Sequence, residues 1–275
     1  MDFSIILTIA RKEFYEYLKT KRLLIIGGLY VAGFLLSVSI MSYYSSHSPN
    51  DFRPIIANAH SITSIFYILL PIVLSYDLIV RERSRKSIYL LLSKPVNREE
   101  VIFGKFLGVL SIICCVIIPI ATIGHLITMA FCGPAGTESI ARAYAYLGVI
   151  ILGTACYISL SILFSIITKS TATSIISSLI VGWFGLNMIY PIYLIFSLLA
   201  GNPLNTTPWY GKLAYAISPS NDMDAAGRIL SEQMMGRQMG SVIPITVSQA
   251  ILALVIFFLI TFAISTFIFR KKELV

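Results

Sequence analysis

The chain has 275 residues, 57% of them apolar or aromatic and 12% charged, with a mean hydropathy of +0.84. Soluble chains carry about 25% charged residues, so one water-facing globule is excluded, and 16 Phe with 15 Tyr exclude a disordered chain. Lipid is the solvent for most of the sequence, and the net charge of +8 has to be placed relative to a membrane.

Residues 3–20 predict a helix lying in the membrane interface. Phe3, Ile6, Ala10, Phe14, Tyr17 and Leu18 share one side, and Lys12, Glu16 and Lys19 share the other; Glu13 intrudes on the apolar side. An apolar run over 23–43 predicts the first span, with no small-x-small cleavage site after it, so it is expected to be retained as an anchor. The second run, 59–80, contains Pro71, where a kink is expected. Residues 77–108 then place a charged turn, a short apolar patch and a second charged turn between two spans. Ile88, Leu91 and Leu92 fall on one helical stripe, and Pro95 ends that short helix. Such a knob fits a groove in another protein and is joined to spans two and three; a helix lying on the lipid surface is the plainer reading.

The third run, 101–131, is about 46 Å long at 1.5 Å per residue and contains Pro119, so it tilts or begins in the headgroups. A fourth run, 143–168, a tight turn at 168–171 and a fifth run, 172–200, with a kink expected at Pro191, follow. Residues 201–241 form the longest outer segment. In it a helix is predicted from Ser218, with Pro219 in its first turn, Asp222 and Asp224 early, Met223, Ala226, Ile229, Leu230 and Met234 on its apolar side, and Gly236 near its end. Met234, Met235 and Met239 could hold a soft cation but read as packing, so no metal site is assigned. A sixth run, 242–269, completes the chain. The runs do not alternate as barrel strands do, so the expected fold is an all-α integral membrane protein of six transmembrane helices forming one domain, 1–275. Cys114, Cys115 and Cys156 fall within spans and Cys132 near the outer surface, which predicts core thiols.

Lys and Arg concentrate in loops that stay inside. With both termini in the cytoplasm, 16 of the 21 basic residues lie on that side. The outer five, Arg53, Arg142, Lys212, Arg228 and Arg237, are matched by Asp51, Glu138, Asp222, Asp224 and Glu232. Topology accounts for the basic charge, so nucleic acid is not an expected partner. Few polar residues fall within the spans: His60, Asp77, His125 and Asn187, with Asp77 expected to pair with Arg81. So little intramembrane charge argues against ion coupling and for an amphipathic cargo at a dimer seam.

In order along the chain stand Glu82, Leu91-Leu92-Ser93, Pro95-Val96, Arg98 and Gly104-Lys105. This series resembles the first cytoplasmic loop of the type-2 ABC exporter (ABC-2) permeases, and Ala10-Arg11-Lys12-Glu13-Phe14 resembles their N-terminal elbow helix; Arg85-Lys86-Ser87-Ile88 departs from the family's Gly-Thr. The resemblance implies a permease subunit in the cytoplasmic membrane, an exporter, dimerised with a second copy or a related permease. It also implies a separate ATPase subunit, which binds ATP and Mg, contacting Glu82, Ile88, Leu91, Leu92, Ser93, Pro95, Arg98 and Lys169. The chain itself is expected to be no enzyme and to bind no cofactor. Gly104-Lys105 and Gly211-Lys212 both lack the glycine five positions earlier that a phosphate-wrapping loop needs. A proton-coupled carrier or non-transport membrane protein is the alternative. An intramembrane hydrolase, on Glu99-Glu100, is disfavoured because both acids lie at headgroup level.

Overall fold

The computed structural model describes residues 2–45, 52–84, 97–201, 208–230 and 244–271. Among these every regular element is a helix. The chain begins with α1 (Phe3–Leu18), whose first turn is capped by Asp2 Oδ1 accepting from Ser4 N at 3.0 Å, and continues into α2 (Lys21–Ser45). Next come α3 (Phe52–Ile62), α4 (Ser64–Ser75) and the short α5 (Val80–Ser84). Two long helices follow, α6 (Arg98–Cys132) and α7 (Thr137–Ile167), then α8 (Thr171–Leu199), which contains a π-helical stretch at Ile180–Gly185. The remaining helices are α9 (Trp209–Ala216), α10 (Pro219–Ala226) and α11 (Val247–Lys271).

Among the described residues six stretches are long and apolar enough to cross a membrane: α2, the α4–α5 stretch Ser64–Ser84, α6, α7, α8 and α11. All six expected spans are present, so this is a multi-pass all-α membrane protein. α6 is the longest at 35 residues, about 52 Å. That exceeds a hydrocarbon core of about 30 Å, as the expected tilt or start in the headgroups requires.

Two spans are interrupted, and neither interruption falls at its proline. Span two was expected to run unbroken over 59–80 and bend at Pro71. Instead Pro71 lies inside α4, and the breaks come at Thr63 and over residues 76–79. Thr63 Oγ1 donates back to Ala59 O at 2.8 Å, the kind of local bond that competes with a helix ladder. At the second break, Ser165 Oγ of α7 accepts from both Ile79 N (3.0 Å) and Val80 N (3.1 Å), and Ser174 Oγ of α8 donates to Tyr76 O at 2.6 Å. Neighbouring hydroxyls thus satisfy the backbone groups that the broken helix leaves open. In α8 the irregular stretch is Ile180–Gly185, ahead of Pro191, where Gly182 passes close to α4: an added Cβ would stand 3.1 Å from Ile72 Cδ1.

The core is built around α7, which packs against α4, α6, α8, α10 and α11. Residues 153–162 of α7 are buried on every side. Polar bonds tie it to α11, with Ser159 Oγ 2.6 Å from Thr261 Oγ1 and Cys156 Sγ 3.3 Å from Leu254 O. Such hydroxyl contacts and small residues hold helices together where lipid gives no hydrophobic drive. α8 is the opposite case: only 6% of its apolar window is buried within the chain.

The helix expected from Ser218 starts there, with Ser218 at the N-cap and Pro219 in the first turn. It ends earlier, at Ala226, followed by a 3-10 turn at Gly227–Ile229; Met234, Met235, Gly236 and Met239 lie outside the described residues. Ser218 does not cap its own helix. Its hydroxyl donates to Asn187 Oδ1 of α8 at 2.5 Å, and Ser220 Oγ bonds the same oxygen, so α10 is latched to span five. On its other side Met223 fills the notch at Gly153 of α7, where a Cβ would fall 2.6 Å from Met223 Cγ.

Asp222 was expected to offset an outer basic residue. It is buried instead, and neither carboxylate oxygen has a partner among the described residues. Burial pushes its carboxyl up to about 8 from an ordinary 3.8. The sign follows from proton linkage: the folded state holds a proton that the unfolded state has lost, so stability falls as pH rises from 3.8 through about 8, by at most about 1.4 kcal/mol per pH unit. The thermal midpoint of the purified protein is expected to drop between pH 5 and pH 8, and Asp222→Asn is expected to flatten that drop; equal slopes in the two proteins would assign the pH dependence elsewhere.

Candidate functional site, a buried ion cluster

At the end of the bundle where α1 lies, two glycines on α6 stand four residues apart, Gly104 and Gly108. Their missing side chains let α1 approach to backbone contact. A Cβ on Gly104 would sit 2.7 Å from Ile9 Cβ and 3.0 Å from Ile6 O, and one on Gly108 would sit 2.6 Å from Glu13 Cβ and 2.9 Å from Ala10 O. Small residues at this spacing admit close helix crossing in membranes. The stripe that α1 buries here is Ile6, Ala10, Glu13 and Tyr17. Phe3 and Leu18, which share the apolar side read from sequence, lie outside this stripe and are exposed at the surface of the chain, because the crossing is centred on the glycines of α6.

Glu13 is therefore no blemish on an apolar side. Its Oε1 accepts from Lys105 Nζ at 2.7 Å, and the same ammonium donates to Glu82 Oε1 of α5 at 2.7 Å. The Lys105 and Glu13 side chains are each 2% exposed and that of Glu82 is 12%. One cation between two buried carboxylates leaves an excess negative charge, which would be costly in so dry a place. Lys12 offsets it from the rim, with Nζ 3.9 Å from Glu13 and 3.8 Å from Glu82.

A second group of charges lies alongside. Asp77, expected to pair with Arg81, is shared: Arg22 Nη1 is its nearer partner at 2.9 Å, while Arg81 stands 3.7 Å away. Arg81 also donates to Glu16 of α1 at 2.7 Å. Tyr17 is buried next to these groups, and burial, then the Asp77 charge, raise its phenol well above 10.0, so it stays neutral. The two helix starts are joined as well. Glu100 closes a capping box with Asn97 at the start of α6 and accepts from Asp2 N at 2.8 Å.

Of the residues singled out from sequence, Glu82 and Glu13 meet in the cluster and Lys12 sits at its edge. Phe14 is half-buried against the core, and Arg11 is exposed over the Tyr15 ring at 5.8 Å. Arg98 turns the other way and donates to Phe269 O (3.2 Å) and Arg270 O (3.1 Å) at the end of α11, a cation on helix C-terminal carbonyls. Lys169 is exposed on the turn between α7 and α8 and is not brought into the cluster. That turn is nevertheless tied to span two, because Arg83 of α5 donates to Ile166 O at 3.3 Å and to Thr168 O. Ile88, Leu91, Leu92, Ser93 and Pro95 lie outside the described residues, which resume at Asn97. From sequence, Gly104 and Lys105 stood as a motif pair, Arg22 and Lys105 counted only as cytoplasmic basic residues, and Gly108 had no assigned role. The Gly-x-x-x-Gly spacing was the available signal.

Among the described residues no group of three or more His, Cys, Asp or Glu could hold a metal ion. What the cluster can do is mechanical. It fixes α1, α5 and α6 to one another through charge-assisted bonds, so a displacement where the chain leaves α5 at Ser84 is carried into α1 and α6 together.

The family model for ABC-2 family transporter proteins matches residues 7–274. A curated relative, described as a probable ABC transporter permease protein NosY of Pseudomonas aeruginosa, is 36% identical over 108 residues, which cover 38% of this chain and 38% of that protein. The protein of the same description from Stutzerimonas stutzeri is 35% identical over 104 residues, covering 36% and 37%. The match thus spans under two fifths of the length of either relative.

Proposed function

Because the chain belongs to the ABC-2 family of transporter proteins, we propose that it is the membrane-spanning permease subunit of an ABC transporter, an exporter whose energy comes from a separate ATPase subunit. In this reading ATP and its magnesium bind to that subunit, both termini of the chain face the cytoplasm, and a second copy or a related permease lines the other side of the path along α8, the span least covered by its own chain. The observation that carries the reading beyond family membership is Lys105 held at 2.7 Å by both Glu13 and Glu82. A knob formed around Leu91 and Leu92 has to transmit force into the bundle, and α5 and α6, which flank it in sequence, are welded to α1 by this one ammonium. Closure of the ATPase dimer then moves α1, α5 and α6 as a unit, while Arg83 draws the turn at 168–171 along with them. The two states of the bundle must contact the nucleotide-loaded partner differently, since otherwise no equilibrium shifts.

The experiment is reconstitution of the chain with its partner ATPase in liposomes. ATP-dependent transport is expected with the native chain. It should be lost with Leu91→Asp combined with Leu92→Asp, with membrane insertion intact. Transport by the chain alone, without ATP or any partner, would contradict the proposal.

A further inference from the structure

At the end of the bundle away from the Lys105 cluster, a cavity of about 250 Å³ opens between α4, α7, α8 and α10. Tyr67, Tyr146 and Trp183 contribute aromatic rings to its lining, Asn187 and Ser220 an amide and a hydroxyl, and Asp224 a carboxylate. Its charge is one-sided. No lysine, arginine or histidine lines it, and Asp224 makes no ion pair among the described residues. The latch of Ser218 and Ser220 on Asn187 holds α10 over the chamber, and Met223 locks the same helix into α7 at Gly153, so the walls are set by packing. Asp222, two residues earlier on α10, is buried and pushed up to about 8, so it is mostly neutral near pH 7; burial raises Asp224 as well, to about 6, which leaves it the ionised carboxylate of the chamber at pH 7.5.

One carboxylate among aromatic faces, in a space a few carbon atoms wide, matches a single class of ligand. Anions are repelled by Asp224, and a neutral apolar molecule would leave its carboxylate without a partner, whereas the Asn187 amide oxygen and the Ser220 hydroxyl already bond each other. An organic cation pairs with the carboxylate and lies against the ring faces, which attract a cation through their quadrupoles. We propose that this chamber binds a small organic cation, a quaternary or protonated amine of about choline's size, with Asp224 as its counter-ion and Tyr67, Tyr146 and Trp183 as its walls. Binding does not depend on the coupling to an ATPase proposed above, and it is tested without one.

The chain contains two tryptophans, so Trp209→Phe leaves Trp183 as a reporter within the chamber. In lipid nanodiscs at pH 7.5, choline is expected to change Trp183 emission saturably. Its uncharged carbon analogue, 3,3-dimethyl-1-butanol, should bind at least about tenfold more weakly, given about 1.4 kcal/mol per factor of ten. Asp224→Asn should weaken choline by a similar factor while Asp224→Glu largely retains it. Ser64→Lys, which puts an ammonium into the same lining, should abolish binding. Affinity is measured well below each variant's own thermal midpoint, so that all are compared as folded protein, and Asp222→Asn serves as the variant expected to leave affinity unaltered. Equal affinity for choline and its neutral analogue would overturn the proposal. So would undiminished choline binding by both Asp224→Asn and Ser64→Lys, or the absence of any saturable response in the Trp209→Phe chain.

Discussion

Replacing Lys105 with methionine should cost the folded chain about 3–5 kcal/mol, the largest loss expected from any single side chain in the structure. The ammonium is the shared partner of Glu13 and Glu82, both at 2.7 Å. Removing it leaves two carboxylates facing each other where water hardly reaches. Lys12 cannot take over, because its stem ends 3.8–3.9 Å from the same oxygens at the rim, with 56% of the side chain exposed. The thermal midpoint of Lys105→Met should fall steeply, and amide exchange along α1 should rise, since that helix loses its central anchor. Lys12→Met provides the contrast, with an expected change within about 1 kcal/mol. Restoring neutrality with Glu13→Leu and Glu82→Leu on the Lys105→Met background should recover most of the lost stability, because apolar groups of similar volume can replace a buried ion cluster at little cost.

Gly108→Leu should be the second severe change, by about 2–3 kcal/mol from overpacking. The new Cβ would meet Glu13 Cβ at 2.6 Å and Ala10 O at 2.9 Å. The second of these is backbone in the middle of a helix and cannot swing aside. α1 must lift from α6, taking Glu13 away from Lys105. Limited proteolysis within residues 3–18 reads that lifting, with faster cleavage expected in the variant. Gly148→Leu on α7 controls for the substitution itself, since nothing lies within 4 Å of a Cβ there; it should be near neutral in both assays.

Spans were legible from sequence because hydrocarbon demands about 20 apolar residues in a row, and each of the six runs meets that demand by composition alone. What was not legible depends on partners distant in the chain. Pro71 and Pro191 drew the kinks in span two and span five to themselves by a local rule. The second break of span two lies where Ser165 and Ser174, roughly 90 residues later, stand ready to satisfy the backbone at Tyr76, Ile79 and Val80, and the irregular stretch of span five lies at Ile180–Gly185, where Gly182 meets Ile72 of α4. Glu13 shows the same limit. Periodicity placed it correctly on the buried side of α1 but valued the side by hydropathy, so a charged residue counted against it. Only the pairing with Lys105, 92 positions away, turns it into the centre of the contact. Asp222 was misjudged in the opposite direction: counting charges on a presumed outer loop assigned it a basic partner, whereas α10 folds back into the bundle and buries it.

The central claim is that the Glu13–Lys105–Glu82 cluster passes the ATPase subunit's motion into the bundle. Its most direct measurement is the number of substrate molecules moved per ATP hydrolysed by the reconstituted complex carrying Glu13→Leu, Lys105→Met and Glu82→Leu together. The expected result is a stable complex that still hydrolyses ATP, with transport per ATP at least about tenfold lower, since charge-assisted bonds between the three segments have been exchanged for non-directional packing. A ratio equal to that of the native complex would contradict the account.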